Sequence, residues 1–395
     1  MALQTPGDST VTTTEAGPTA LAVVVCSLEP WGQVRRRIRI LVDEIVQLQP
    51  SLQVLYVAPP LDVPHQLQQR RLPDLARPRL EPVCDRIHVL RPRKWWPRAI
   101  GPFADRSLEH QVLDATASLG LGRPLLWIND ASYASLAVRT GWPCLYDVTD
   151  DWLLAPLHPR ERLRLMANES SLLEHSDAVV VCSPELERSR GRNRTVHLIP
   201  NGVDLALFRA PMPRPAGLPP GPVALYVGSL HDERFDVPLV VQLATRRPDV
   251  RVVLVGPDSL STAATAELRS VDNIHLLGPR PYETIPAFMQ HADVVIVPHL
   301  VNPFTESLDP IKAYECLAAG RPTVATPAAG FRELGPPVVI AQREKFVEAV
   351  ETALAGGGTA GLTLSLSDPP VTSWRTRAEA MVSVMDGVRA EAAGR

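Results

Sequence analysis

IPNGVDLALFRAPMPRPAGLPPGPVALYVGS, residues 199–229, decides how the chain is divided. It starts at the end of one apolar run and passes through APMPRPAGLPPGP (210–222), where proline and glycine are too dense for an element interior and suit an exposed connection. It then enters a fresh apolar run, VALYVGS (223–229). Upstream, short runs of the same kind recur: LAVVVCS (21–27), LQVLYVA (52–58), RIHVL (86–90), LLWIND (125–130), CLYDV (144–148), AVVVCS (178–183) and TVHLIP (195–200). Downstream, VRVVLVG (250–256), NIHLLG (273–278), DVVIVP (293–298) and PTVAT (322–326) repeat the pattern. Strands covered on both faces of a parallel sheet read this way. Amphipathic stretches between them, such as Val34 to Leu48 and Pro159 to His175, supply the crossover helices. The expected fold is α/β, with two Rossmann-like doubly wound halves and a final helix over Ser373 to Ala390.

Composition narrows the class without naming a partner. The 395 residues carry 40 Lys+Arg against 43 Asp+Glu and are 45% hydrophobic, which suits two ordinary domains and gives no global attraction to nucleic acid. Cys26, Cys84, Cys144, Cys182 and Cys316 are widely spaced with no CxxC pair, so free thiols are expected in a reducing, cytoplasmic setting. The apolar runs fall far short of the roughly 20 residues needed to span a bilayer. Residues 1–18 are rich in Thr and small residues and read as a disordered tail.

In open α/β sheets ligands sit beyond the carboxyl ends of the strands, which points to Gly228-Ser229, Gly256-Pro257, Pro298-His299 and the loop before Pro310. Pro310 and Ile311 open a helix whose first amides and positive dipole end favour an anion. Lys312 adds a cation there, Arg234 lies just past Gly228, and together they suit a diphosphate, although either alone reads as a surface charge. Glu315, three positions after Lys312, reads either as its intrahelical partner or as a carboxylate for a vicinal diol. YDVTDDW (146–152) ends a strand with three carboxylates, of which Asp150 and Asp151 are the candidate catalytic pair. Both also read as helix-capping acids, Asp151 especially, while Asp150 is the first choice as general base. No D-x-D occurs, so no metal site is expected.

From Ile199-Pro200-Asn201-Gly202-Val203-Asp204, through Val227-Gly228-Ser229-Leu230 with Arg234, to Pro310-Ile311-Lys312-Ala313-Tyr314-Glu315 and Ala318-Ala319-Gly320-Arg321-Pro322, the chain resembles group 1 glycosyltransferases of the GT-B fold. Glu29-Pro30-Trp31 and the Asp150-Asp151-Trp152 run look most like transferases of teichuronic-acid and xanthan type, in polysaccharide biosynthesis. The resemblance implies a metal-independent hexosyltransferase-like enzyme, without cofactor. It would move a sugar from a nucleoside-diphosphate-sugar to a hydroxyl acceptor on a cell-surface glycan, a lipid-linked precursor or a natural product. It implies an acceptor domain over 19–205, a linker over 206–222, a nucleotide-sugar domain over 223–370 and a C-terminal segment, 371–395, returning to the first domain. Glu315 would hold ribose, with Gly228, Gly256, Arg234, Pro310, Ile311 and Lys312 around the diphosphate. Two positions depart from the family pattern: Ser307 where a glutamate is usual, and Ser229 where an arginine is usual. These departures keep open a catalytically inactive nucleotide-sugar-binding subunit, beside an epimerase of the same fold. With Asp150 as base, inversion is the simpler chemistry, whereas retaining members of the family work without one.

Two basic clusters stand apart. Arg35, Arg36, Arg37 and Arg39 start an early helix, and RPRKWWPR (91–98) sets Arg91, Arg93, Lys94 and Arg98 around Trp95 and Trp96. Arginine beside tryptophan suits an anionic membrane surface, and a solvated basic face is the alternative. A peripheral contact at the inner face of the membrane is the corresponding expectation.

Overall fold

The computed structural model describes residues 21–32, 34–97, 103–356 and 371–394. The expected tail and Arg98 lie outside them. Two sheets carry the fold. The strands of the first are β1 (Ala22–Cys26), β2 (Gln53–Val57), β3 (Leu80–Cys84), β4 (Ile87–Leu90), β5 (Leu125–Ile128), β6 (Cys144–Val148), β7 (Ala178–Val181) and β8 (His197–Leu198). They are ordered β8-β7-β6-β5-β1-β2-β4-β3. All neighbours are parallel except the antiparallel β3–β4 edge pair. The second sheet holds β9 (Val223–Val227), β10 (Arg251–Val255), β11 (Ile274–Gly278), β12 (Val294–Val297), β13 (Thr323–Ala325) and β14 (Val338–Ile340), all parallel, in the order β11-β10-β9-β12-β13-β14. The order reverses at β1 in one sheet and at β9 in the other, which is the doubly wound arrangement read from the sequence.

The physical reason is visible strand by strand. β1 is AVVVC and β12 is VVIV, and every residue of both is buried, because helices cover both faces of each sheet. Their branched side chains fit the pleated surface while losing little rotamer freedom. The edge strands β3 and β14 escape the apolar-run pattern, since β3 contains Pro82 and is mostly exposed, and β14 is short.

Helix α1 (Arg37–Leu48) buries Ile38, Leu41, Val42, Ile45 and Val46, one face at helical spacing. Helix α2 (Ile311–Ala319) starts at Pro310 without a side-chain cap and ends at Gly320 in the left-handed region (φ 63°). The last helix, α3 (Trp374–Ala393), is capped by Ser373, whose Oγ accepts from Thr376 N at 3.1 Å. It buries Trp374, Ala378, Met381, Met385 and Val388 and packs on α1, so the end of the chain lies against the first sheet's layer. Entry and return run side by side: Val203 bridges Ser373 in parallel, and Arg377 Nε donates to Asn201 O at 3.1 Å.

The two sheet layers also meet across the cleft. Asn201 N donates to Asp309 Oδ2, and Tyr314 Oη donates to Asp309 Oδ1 at 2.7 Å. Ser183 Oγ donates to Ser307 O at 2.6 Å, which gives the serine in the departing position a structural partner. Trp152 packs on Phe304 with ring centroids 5.3 Å apart, joined by Ala155 and Leu308. The described residues contain no helix long and apolar enough to cross a membrane. Cys26, Cys144, Cys182 and Cys316 are buried free thiols and Cys84 is an exposed one.

Candidate active site

A cavity of about 480 Å³ lies between the two layers, at the carboxyl ends of the strands where both sheets reverse. From the first domain come Glu29 just beyond β1, Asn129 beyond β5, Asp150 beyond β6, and the start of α1. From the second come Gly228 and Ser229 beyond β9, Gly256 beyond β10, His299 beyond β12, and Pro310, Ile311 and Lys312 at the start of α2.

The glycines are required by contact. A Cβ on Gly256 would lie 1.9 Å from the Gly228 carbonyl oxygen, and one on Gly228 would lie 2.7 Å from Tyr226 Oη. The two loops therefore touch through bare backbone and leave the space above them open. Arg234 follows this loop. It is half-buried and lines the cavity, and its Nε has no hydrogen-bond partner among the described residues. Its charge reaches its neighbours. Burial first, and Arg234 second, push His299 down to about 3 and also lower His231, so both imidazoles are neutral at ordinary pH. This cation and the uncapped first amides of α2 face one cavity, an arrangement that suits an anion.

The three carboxylates of residues 146–152 part ways. Asp147 points into the core, where it accepts from Trp127 Nε1 at 3.1 Å and lies 3.5 Å from Arg37 Nη2. Asp150 lines the cavity and is approached by Thr149 Oγ1 at 3.3 Å. Withdrawal from water raises its carboxyl above the usual range, while Arg234 across the cleft, then Thr149 and Arg36, pull it back. Asp151 is turned away. Both of its oxygens are held by Arg190, with Nη2 to Oδ1 at 2.9 Å, and Arg190 Nε also donates to Glu169 at 2.9 Å. Asp151, expected as the second member of the catalytic pair, is thus held in a buried ion-pair triad outside the cavity lining rather than beside Asp150. The capping alternative fares no better, since Asp151 precedes the turn Trp152–Leu154 without a side-chain cap bond.

Lys312 and Glu315 are bonded to each other, Nζ to Oε2, and Glu315 is 1% exposed beneath the lysine. Lys312, Pro310 and Ile311 line the cavity, whereas Glu315 lies behind them. Of the expected site residues, the structure thus brings Asp150, Gly228, Arg234, Gly256, Pro310, Ile311 and Lys312 to one cavity, holds Glu315 one step back, and leaves Asp151 outside.

Two cavity groups were not read as site residues. Glu29 is half-buried, accepts from Ile38 N at 3.2 Å, and is pushed up to about 7 by withdrawal from water, with Arg36 opposing and Asp150 adding to the rise. Its position directly beyond β1, at the reversal of the sheet, was the available signal. The other group is the arginine cluster read as a membrane face. Arg35 reaches Glu283 of the second domain at 2.8 Å, Arg37 donates to Asn201 Oδ1 at 3.2 Å, and Arg39 lies 4.3 Å over the Trp31 ring. Arg35 and Arg37 line the cavity, while Arg39 is held by Trp31 and Asp43. In the second cluster, Arg91 pairs with Glu81, Arg93 donates to Leu75 O at 2.8 Å, and Lys94 pairs with Asp62.

Residues 221–356 match the family described as glycosyl transferases group 1. The protein named as teichuronic acid biosynthesis glycosyltransferase TuaH of Bacillus subtilis (strain 168) is 26% identical over 286 residues, 65% of this chain and 72% of that protein. Among solved structures, Anabaena Alr3699/HepE, in complex with UDP and glucose, superposes with a TM-score of 0.58 at 14% identity, covering 93% of this chain and 100% of that one. OtsA without ligand gives 0.60 at 14% identity, covering 92% and 98%. At such identities the solved structures establish the fold, and the sequence matches carry the activity. The chain has the GT-B fold, its residues 221–356 match the group 1 glycosyl transferases, and it is an enzyme that transfers a glycosyl group.

Proposed function

We propose that the donor is a nucleoside-diphosphate-sugar whose diphosphate lies over Gly228 and Gly256, facing Arg234, Lys312 and the first amides of α2. The observation that carries this reading is Arg234: a cavity-facing guanidinium with a buried Nε that no group among the described residues satisfies. A phosphate oxygen is the natural acceptor for it. Lys312 leaves Glu315 to meet the diphosphate, and the released carboxylate takes the ribose hydroxyls. The positive side chains supply the charge stabilisation for which other transferases recruit a metal ion. The complex of HepE with UDP supports uracil as the first base to try.

Asp150 then takes the proton of the acceptor hydroxyl as its oxygen bonds to the anomeric carbon and the bond to the diphosphate breaks. A carboxyl raised by withdrawal from water is a stronger base than an exposed aspartate. The relationship to a teichuronic acid transferase supports a cell-surface glycan as product, built on a lipid-linked acceptor at the inner face of the membrane. In this reading the membrane contact belongs to the exposed Trp95 (46%), Trp96 (57%) and Leu72 (92%), and not to the arginines of the cleft.

The test is equilibrium binding of UDP, GDP and dTDP to the wild type and to Arg234→Ala, with turnover of the preferred donor sugar measured in EDTA. Loss of one hydrogen bond to a charged group is worth about 1.5–3 kcal/mol, so affinity should fall roughly 10- to 150-fold. Turnover should survive the chelator. Binding unchanged in Arg234→Ala, or turnover that EDTA abolishes and magnesium restores, would sink the reading.

A further inference from the structure

Four arginines crowd the start of α1, and one of them is placed differently from the rest. Arg35, Arg37 and Arg39 each form an ion pair, with Glu283, Asp147 and Asp43. Arg36 forms none among the described residues. Its Nη2 instead crosses the cleft and donates to Ser229 Oγ, in the second domain, at 2.9 Å. A guanidinium carries five donors in a fixed fork, and one neutral hydroxyl satisfies little of it. The contact falls on the loop where Gly228 and Gly256 leave bare backbone, in the same cavity as Arg234 and Lys312. Of the carboxylates that line this cavity, Glu29 and Asp150 lie on the first domain's side and feel the Arg36 charge, while Asp309, on the second domain, accepts from Asn201 N and Tyr314 Oη. On the loop side, the hydrogen-bond partner of Arg36 is the neutral Ser229 hydroxyl.

We propose that Arg36 is a phosphate ligand supplied by the first domain, so that the donor diphosphate is clamped between the two domains by Arg36 on one side and Arg234 with Lys312 on the other. The inference rests on the donor reading above. A phosphate seated over Gly228 offers the fork two oxygens where Ser229 offers one, and charge-assisted bidentate pairing is the stronger contact. Ser229 Oγ, released from Arg36, becomes a further donor to the same phosphate. Because Arg36 is the residue that starts α1, and α1 packs on α3, the clamp ties donor occupancy to how the two domains sit.

Calorimetric titration of UDP, uridine and inorganic pyrophosphate into the wild type, Arg36→Ala, Arg36→Gln and the double variant Arg36→Ala/Ser229→Arg tests this. Expected are a tenfold or greater loss of UDP and pyrophosphate affinity in both single variants and uridine binding within twofold of the wild type. The double variant should recover most of the loss, because a side chain at 229 reaches the place that the Arg36 head occupies. Gln keeps a donor to Ser229 and removes the charge, so a loss in Gln as well as Ala assigns the effect to charge rather than to misfolding. UDP bound within twofold by Arg36→Gln, with the wild type binding UDP, overturns the inference and leaves the donor reading standing. A wild type that binds none of UDP, GDP and dTDP overturns both.

Discussion

Replacing Asp150 and Asp151 one at a time separates turnover from stability at two adjacent positions. Asp151 sits in a triad with Arg190 and Glu169 whose side chains are each exposed by less than a tenth. Asp151→Asn removes the charge from two hydrogen bonds to Arg190 but leaves Glu169 to neutralise the arginine. The loss should resemble that of a charged hydrogen bond, about 1.5–3 kcal/mol. For a domain of this size that is roughly 3 to 12 °C in Tm. Arg190→Met strands two buried carboxylates at once, so it should cost more, about 3–5 kcal/mol. Asp150→Asn removes no buried pair. It should leave Tm nearly unchanged and lower kcat by about 10²- to 10⁴-fold if the carboxylate takes the acceptor proton. Differential scanning fluorimetry and initial rates of donor turnover, run on the same preparations, read both quantities. An Asp151→Asn protein with wild-type Tm and a hundredfold loss of kcat, or an Asp150→Asn protein with full activity, would refute the assignment.

Gly256→Ala should shift the Gly228 loop, because the new methyl has no room beside the Gly228 carbonyl oxygen; UDP affinity should drop about tenfold or more, since displacements near 1 Å cost that much in such sites. Glu29 gives a pH signature. Its folded carboxyl titrates near 7, above its unfolded range, so the folded state binds the proton more tightly and stability is lost as pH rises from about 5 through 7. Glu29→Gln should match the wild type in Tm at pH 4.5 and exceed it at pH 8; identical Tm profiles across that window would show that the carboxyl is not held out of water. Trp95→Ala/Trp96→Ala should release the protein from anionic vesicles in a sedimentation assay, whereas Arg35→Ala should not; retention by the tryptophan variant would remove this face from the membrane contact.

What the sequence revealed, and what it concealed, follows from the range of each interaction. The strands of both sheets were legible because covering both faces of a parallel sheet demands unbroken apolar runs such as AVVVC and VVIV. The edge strand LEPVC obeys no such demand and passed unread. Cavity residues directly beyond strand ends, among them Gly228, Gly256 and Asp150, were reachable because topology alone decides where strand ends point. The division of labour among Asp147, Asp150 and Asp151 was not, since it depends on Arg37 and Arg190, which lie far away in the chain. Nor could helical spacing tell whether Arg35 to Arg39 meet lipid or a second domain. Glu283 and Ser229, the residues that answer, are some 200 positions away or more.

The adjacency of Val203 and Ser373 has an engineering consequence. Everything between those two residues leaves and re-enters the first domain at a single doorway, so the second domain is an insertion with neighbouring ends. Such a module is exchangeable as a cassette: its two junctions can be cut and rejoined without reaching into either sheet. A donor domain from a transferase of different sugar preference, spliced at these positions, would keep α3 seated on α1 while replacing the loops that face the donor. Gly202 marks the tolerance of the splice, because a side chain there would press against the Ser373 carbonyl and the Trp374 amide, and a graft must keep a glycine at that position.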